Sequence, residues 1–454
     1  MRRLTTIFLL ALLVCAGATL RAATTTNSLV WQAAADRVSA DIRGEALWPL
    51  LEDIAHQTGW HIFVEPGANR KADVKFSNLP SGEALKKLLG DLNFAFVPKT
   101  NEASQLYVFT TTMRAATQRV AAAGLGKAAP QKHVANELLL KVKPGTDIDA
   151  LAKSLGAKII GRDDKLGIYR LQFADEAATE AALAKLKTNS DVATVEYNYI
   201  LDPPVAAQKI ANAPAGPVSL ALNPPGDSGR VIVGLIDTSM QSLGSDLDKF
   251  LLKAISITGD ASVNSADPTH ATSMAETILR AMAAQGGGTS AQILPVDVYG
   301  SSETATTWNV ALGVQAAVNN GATVLNLSLG GTTDSAILSD VIQQAIAKGI
   351  VVFAAAGNQP VNTPTFPAAN SGVIAVAATQ GGQLASYSNY GNFIAMALPG
   401  TSVVYLGGQA YVVQGTSPAT AYASGIAAGT KSGTSMTWAQ ILAAMQQKFP
   451  VPAK

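Results

Sequence analysis

The sequence has one cysteine, Cys15, and it lies in an apolar stretch at the N-terminus. A chain without a second thiol has no internal disulfide, so its stability must come from a buried core. Charged residues make up only 14% and the formal net charge is +1. That removes the electrostatic basis for nucleic-acid binding. No Asp, Glu, Lys or Arg occurs from Gly349 to Thr430. Such a segment reads as buried strands, small-residue helices and neutral loops. After the N-terminal segment no run reaches the roughly 18 apolar residues of a membrane helix, so no transmembrane segment is expected in the mature chain. Carboxylates are sparse over 218–450. Asp246, Asp248 and Asp260 come nearest to a cluster and read as a solvated acidic loop, so neither metal nor cofactor is implied.

What is present begins with MRRLTTIFLLALLVCAGATLRAA. Arg2 and Arg3 form a positive start and Leu4 to Cys15 an apolar run. Ala16-Gly17-Ala18 and Leu20-Arg21-Ala22 supply cleavage patterns. Residues 1–22 read as a secretory signal peptide. The residue before Cys15 is Val14, a poor fit to a lipoprotein site.

Three segments follow. In 38–112, ALWPLLEDIAHQTG places Leu47, Leu50, Leu51 and Ile54 on one helical face, with Gly59 as its stop. WHIFVEP reads as a strand. SGEALKKLLGDLNFAFVP repeats the theme, with Ser81 as N-cap, and QLYVFTT closes the unit. The pattern resembles the STN domain of secretins and TonB-dependent receptors. That resemblance implies a protein-interaction module facing an envelope or outer-membrane partner. His56 and His61 fall here on a helix and a strand with no third ligand, which favours structural roles.

Residues 113–132 are Ala-rich and read as a linker. The segment 133–202 has the order strand, helix, strand, strand, helix, strand, which favours an α+β sandwich with an antiparallel sheet. Down to its closing VEYNY, it is similar to the propeptide of subtilisin-like proteases. The resemblance implies a domain that templates folding and then blocks the active site until cleaved; a permanent accessory domain is the other reading. Residues 203–217 read as a second linker and a place for cleavage.

In the third segment, 218–454, VIVGLID, AQILPVDVY, TVLNLSL and IVVFAAA are short, continuously apolar runs separated by helical segments near 270–285, 304–319 and 333–348. Strands buried on both faces imply a parallel sheet covered by helices. Thr437 and Gln440 fit a capping box opening a last helix. Asp237 ends a strand, His270 opens a helix, and Ser417 opens another after the hairpin-like YLGGQAYVVQ. Sites in such sheets form beyond the carboxyl ends of strands. A serine needs a histidine to take its proton, and the histidine needs a carboxylate to fix its tautomer. His270 is the only histidine in this segment. Asn358, in AAAGN, offers an amide donor to an oxyanion, and the Ser417 backbone N–H a second. Each residue alone has an ordinary reading as a cap or surface group. Together, in this order, they argue for a site.

The order Asp237, His270, Asn358, Ser417 and the strings IDTS, HATSMA, NLSLGG, AAAGN, SYSNYG and GTSPATA resemble the subtilase family. The resemblance implies an α/β, Rossmann-like parallel-sheet domain preceded by two small α+β domains. It also implies peptide-bond hydrolysis through an acyl-enzyme. By that resemblance Asp237 orients, His270 is base and then acid, Ser417 attacks, and Asn358 donates to the oxyanion. Ser328, Leu329 and Gly330 would line the cleft and pair with an extended peptide. Ala355, Ala356 and Gly357 would wall the pocket for the residue before the cut.

The pattern departs at Ser239 and Ala271, where the family usually has glycine, and at Pro418 and Ala421. Proline is tolerated in a helix's first turn. An added side chain at 239 or 271 could displace Asp237 or His270, so a binding or adaptor protein with an inactive site, held in the envelope by the STN-like domain, stands beside the protease. The protease reading expects protein or peptide substrates, self-processing within 198–226, and a periplasmic or extracellular location in a Gram-negative envelope.

Overall fold

The structure is a computed structural model. It describes residues 27–32, 36–65, 68–99, 104–116, 118–120, 132–211, 213, 220, 222, 231–259, 263, 266–285 and 291–452. The expected signal peptide lies outside the described residues.

The first unit contains β1 (Ser28–Gln32), β2 (Arg37–Ala46), α1 (Leu47–Thr58), β3 (His61–Val64), β4 (Lys71–Leu79), α2 (Ser81–Leu89), β5 (Asn93–Val97), β6 (Gln105–Phe109) and β7 (Gln118–Val120). One sheet has the order β1-β2-β4 and the other β5-β6-β3-β7. Leu47, Leu50, Leu51 and Ile54 of α1 are buried between them, as their spacing predicts, and Gly59 ends α1 in the left-handed region. Ser81 is not the N-cap of α2. Pro80 holds that place, and the carboxylate of Asp36 accepts from the Ser81 N–H, so the chain supplies the cap from a distant turn. The stretch 113–132 is more than linker, because β7 pairs antiparallel with the free edge of β3.

The second unit contains β8 (His133–Val142), α3 (Ile148–Ser154), β9 (Lys158–Asp163), β10 (Ile168–Gln172), α4 (Glu176–Leu186) and β11 (Val192–Tyr199). It forms an antiparallel sheet in the order β11-β8-β10-β9. Asp147 and Asp175 cap its two helices through their carboxylates.

The third unit contains β12 (Gln208–Lys209), β13 (Val231–Asp237), β14 (Ile255–Ser256), α5 (His270–Ala283), β15 (Ala291–Asp297), α6 (Thr307–Asn319), β16 (Val324–Leu327), α7 (Ala336–Ala347), β17 (Val351–Ala355) and β18 (Ile374–Gln380). It continues with β19 (Gln383–Leu384), β20 (Met396–Pro399), β21 (Thr401–Leu406), β22 (Gln409–Gln414), α8 (Thr416–Gly433) and α9 (Trp438–Lys448). The main sheet runs β14-β15-β13-β16-β17-β18-β19, with β20 beside β18; all pairs except β18–β19 are parallel. The apolar strands are buried end to end because helices cover both faces. One core lies under α5 and α8, and another under α6 and α7. The Thr437–Gln440 capping box forms at the start of α9.

The linker 203–217 is also partly structured. Its β12 pairs antiparallel with β22, and Ile210 N–H donates to the Ala410 carbonyl. The second unit docks on the third through β11. The Glu196 carboxylate accepts from the Ser335 hydroxyl and from the Ala336 and Ile337 N–H groups at the start of α7. The Asn198 side-chain oxygen accepts from Trp308 N–H at the start of α6. Two helix ends thus have donors satisfied by a neighbouring unit. Trp308 also seals the contact, since a Cβ on Gly161 would meet its ring at 2.6 Å.

Candidate active site

Strand β13 is flanked by β15 on one side and β16 on the other. The chain therefore reverses its winding direction at the carboxyl end of β13, where such sheets open a crevice. Asp237 is the residue delivered there, and it is buried. His270 is the first residue of α5, held by a Thr269 cap whose hydroxyl accepts from Thr272 N–H. Its Nδ1 lies 2.7 Å and 2.9 Å from the two Asp237 carboxylate oxygens. A carboxylate can only accept, so Nδ1 carries the proton and Nε2 is left as a base. Nε2 is buried and has no hydrogen-bond partner among the described residues.

Ser417 comes to this place through the packing of α8 on α5. A Cβ on Gly425 would sit 2.4 Å from the Ile278 carbonyl, and one on Gly429 3.1 Å from Met282 Cα. Both pairs have the same offset in sequence as His270 and Ser417, so the helices run parallel with their first turns side by side. The Ser417 hydroxyl itself donates to the Ser328 carbonyl at 3.2 Å. The Ser328 hydroxyl donates back to the Ser417 carbonyl at 3.1 Å.

Asn358 follows β17. Its Oδ1 accepts from the Thr416 N–H at 2.8 Å and from the Thr416 hydroxyl at 3.1 Å. Those donors fix which end of the amide is oxygen and turn Nδ2 toward the start of α8. A Cβ on Gly415 (φ +151°) would lie 3.1 Å from that Nδ2, so glycine is required for the approach. The Ser417 N–H, in the first turn of α8, is one of the donors a helix cannot satisfy internally. An oxygen placed before both would be stabilised as it gained charge.

Ser328, Leu329 and Gly330 follow β16, and the Gly330 carbonyl accepts from the Asp202 N–H. Ala355 and Ala356 are buried beside them, and Gly357 N–H donates to the Thr416 hydroxyl. The structure brings all these predicted residues to one end of the sheet. The side chains at 239 and 271 are accommodated there. Ser239 donates to Asp297 at 2.7 Å, and Ala271 N–H donates to the Thr238 hydroxyl while its methyl joins the core. Neither intrudes between Asp237 and His270.

Sequence reasoning missed a polar chain beneath the serine. The Ser424 hydroxyl donates to Asn326 Oδ1 and Asn326 Nδ2 donates to the Ser328 hydroxyl, each at 2.9 Å. Asn326 and Ser424 are fully buried. Their only sequence signal is polarity within small or apolar runs. Tyr299 was also missed; burial, reinforced by the Asp237 charge, pushes its phenol well up. No group of three or more metal-ligating side chains occurs among the described residues.

A doubly covered parallel sheet with an aspartate, a histidine and a serine meeting at its carboxyl edge defines a serine-hydrolase type of site. Similarity to known proteins narrows this. The model described as the Subtilase family matches residues 228–450, and that of the Fervidolysin N-terminal prodomain matches 119–198. Subtilisin NAT of Bacillus subtilis subsp. natto is 30% identical over 351 residues, covering 72% of this chain and 87% of that protein. The Thermostable alkaline protease of Halalkalibacterium halodurans is 37% identical over 188 residues, 39% of this chain. The chain spans about half the length of that relative, 52%. Fervidolysin from Fervidobacterium pennivorans has a similar fold, with a TM-score of 0.56 at 19% identity, covering 71% of this chain and 58% of that one. The chain belongs to the subtilase family.

Proposed function

We propose that this protein is an exported serine endopeptidase made as a zymogen. Ser417 attacks the peptide carbonyl, and His270 takes its proton and returns it to the leaving amine. Asp237 orients the ring and stabilises its cation. Asn358 Nδ2 and the Ser417 N–H receive the oxyanion. The observation that carries the reading is the buried His270, fixed by Asp237 through Nδ1 with Nε2 bare, at the start of a helix in register with α8. An inactive adaptor draws no support from this geometry.

The substrates are extended peptides laid along Ser328–Gly330. Ala355, Ala356 and Gly357 leave room for a bulky apolar residue before the cut. The second unit acts as the prodomain, and the chain frees its third unit by self-processing in the linker region. The first unit, over residues 38–112, is an STN-like module that meets an envelope partner. The N-terminal sequence and that module together support a periplasmic or extracellular place in a Gram-negative envelope.

The test is labelling of the maturing wild-type chain and Ser417→Ala with a fluorophosphonate, followed by mass. Label on the wild type only, rising as a shortened chain appears, is expected. No label at any stage of maturation would remove the hydrolytic reading.

A further inference from the structure

Asn326 in β16 and Ser328 just past its end are two apart on an extended chain, so they share a face. Ser417 and Ser424 on α8 are two turns apart, so they also share a face. The structure joins these two faces at both points. Near the chemistry, Ser417 and Ser328 exchange two hydrogen bonds, hydroxyl to carbonyl in each direction. Two turns away, the Ser424 hydroxyl donates to Asn326 Oδ1, and Asn326 Nδ2 donates to the Ser328 hydroxyl. Gly425, the next residue of α8, meets α5 instead. Helix α5 thus sets the register of α8 from one side, and the Ser424–Asn326 pair ties α8 to the sheet from the other.

Burial gives the pair its weight. Asn326 and Ser424 are fully buried, with Leu325 and Leu327 on either side of the amide. A polar group in such a place costs stability unless its bonds are made. The directions of those bonds are fixed as well. The Ser328 hydroxyl has one proton, and it goes to the Ser417 carbonyl. It can then only accept from Asn326, so Nδ2 is the end that meets it and Oδ1 the end that meets Ser424. Ser424 supplies the proton that Oδ1 needs and keeps the amide turned this way. With the amide reversed, Oδ1 would draw the Ser328 proton, and the Ser417 carbonyl would lose that donor. A direction set at Ser424 therefore reaches the backbone of the nucleophile through two side chains.

We infer that Ser424 and Asn326 are positioning residues for Ser417, acting through Ser328 to hold the first turn of α8 against the segment after β16. They touch neither the substrate nor the reacting atoms. The inference rests on the hydrolytic reading above and deepens it. The pair keeps the backbone of Ser417 in place while its hydroxyl leaves the Ser328 carbonyl for His270. Neither side chain ionises, so the pair sets the height of the pH–rate profile and not its midpoints.

The experiment uses the full chain, left to mature, as wild type, Ser424→Ala, Ser328→Ala and the double variant. Hydrolysis of an Ala-Ala-Pro-Phe p-nitroanilide gives kcat and KM, and a fluorophosphonate reports the nucleophile. Ser424→Ala should lower kcat roughly 10- to 100-fold, the order that a small misplacement costs. KM should stay within about twofold and the midpoints of the pH–rate profile should not move. Ser328→Ala should lower kcat at least as much, and the double variant no further, because Ser424 acts only through Ser328. If Ser424→Ala does not fold, Ser424→Cys carries the same direction of effect, since a thiol donates weakly. Unchanged kcat in the Ser424 variant overturns the proposal, even where melting temperature falls, because the chain is then structural only. Losses that multiply in the double variant also overturn it. Where the wild type reacts with the fluorophosphonate, such a result condemns the positioning role alone. A wild type that never reacts ends the hydrolytic reading and the proposal with it.

Discussion

Gly425 of α8 rests against the Ile278 carbonyl of α5, so close that a Cβ would lie 2.4 Å from that oxygen and 2.6 Å from Ala281 Cβ. This contact, far from the chemistry, sets the register that brings Ser417 beside His270. Helix backbones do not yield locally to an inserted methyl, so the helices must part or slide.

Gly425→Ala should therefore cost about 1–3 kcal/mol of stability. It should also lower kcat by roughly 10- to 100-fold through misplacement of Ser417. Thermal unfolding and peptide hydrolysis at a temperature where the variant is folded measure the two effects. Lost stability with unchanged kcat would show that the register does not set the site.

Asn358 has two jobs that a substitution can separate. Its Oδ1 receives Thr416, and its Nδ2 is the proposed oxyanion donor. Asn358→Asp keeps the acceptor and removes the donor. It should lower kcat by about 100- to 1000-fold, the magnitude established for loss of one such donor in the related enzyme subtilisin. KM and melting temperature should move little. A large KM change with unaltered kcat would assign Asn358 to ground-state binding.

Ser239 stands where the family usually has glycine, yet its hydroxyl is spent on Asp297, which also receives Tyr299 and Gly300 N–H. Ser239→Gly should leave kcat/KM within about threefold, since the bond lost is to the Asp297 carboxylate and not to a reacting group, so its loss falls on stability. A gain well beyond that would mark Ser239 as a brake on Asp237.

Glu196 joins the second unit to α7 in a buried place. Burial pushes its carboxyl up, against the pull of hydrogen bonds from Ser335, Ala336 and Ile337. The docked form thus holds the proton more tightly than the unfolded chain. Its contribution to stability is full in acid, below the ordinary carboxyl range, and declines as pH rises through the raised value. Denaturant unfolding of the Ser417→Ala chain across that range should show this slope, flattened by Glu196→Gln. Glu196→Ala should cost about 1 kcal/mol at neutral pH through the lost cap, read as faster exchange at Ala336 and Ile337. An unchanged pH slope in Glu196→Gln would assign the dependence elsewhere.

Much of this protein is legible in short windows of its sequence. The runs VIVGLID and IVVFAAA read as strands buried on both faces, because they are short, rich in β-branched residues and have no polar residue to give either of them a wet side before Asp237. His270 and Ser417 sit at helix starts because threonine and glycine precede them. The capping box of Thr437 and Gln440 closes within four residues. Each of these follows from local propensity and periodicity, which a window of a dozen residues carries.

What lay beyond the sequence depends on partners far along the chain. Gln208 becomes a strand only because the edge of β22 lies beside it. Ser424 finds Asn326 only after α8 has packed across the sheet. Ser417 Oγ finds the Ser328 carbonyl only once α8 has come to lie beside the end of β16. The sequence by itself determined the main strands and helices of the third unit, the capping box of α9 and the kinds of catalytic group, because those are set by neighbours in the chain. Only the tertiary structure decided the register of α5 on α8, the pairing of Gln208 and Lys209 with β22 and the direction of the Ser417 hydroxyl. Those depend on which backbone carbonyls distant segments leave open, and that is settled only when the whole chain has closed.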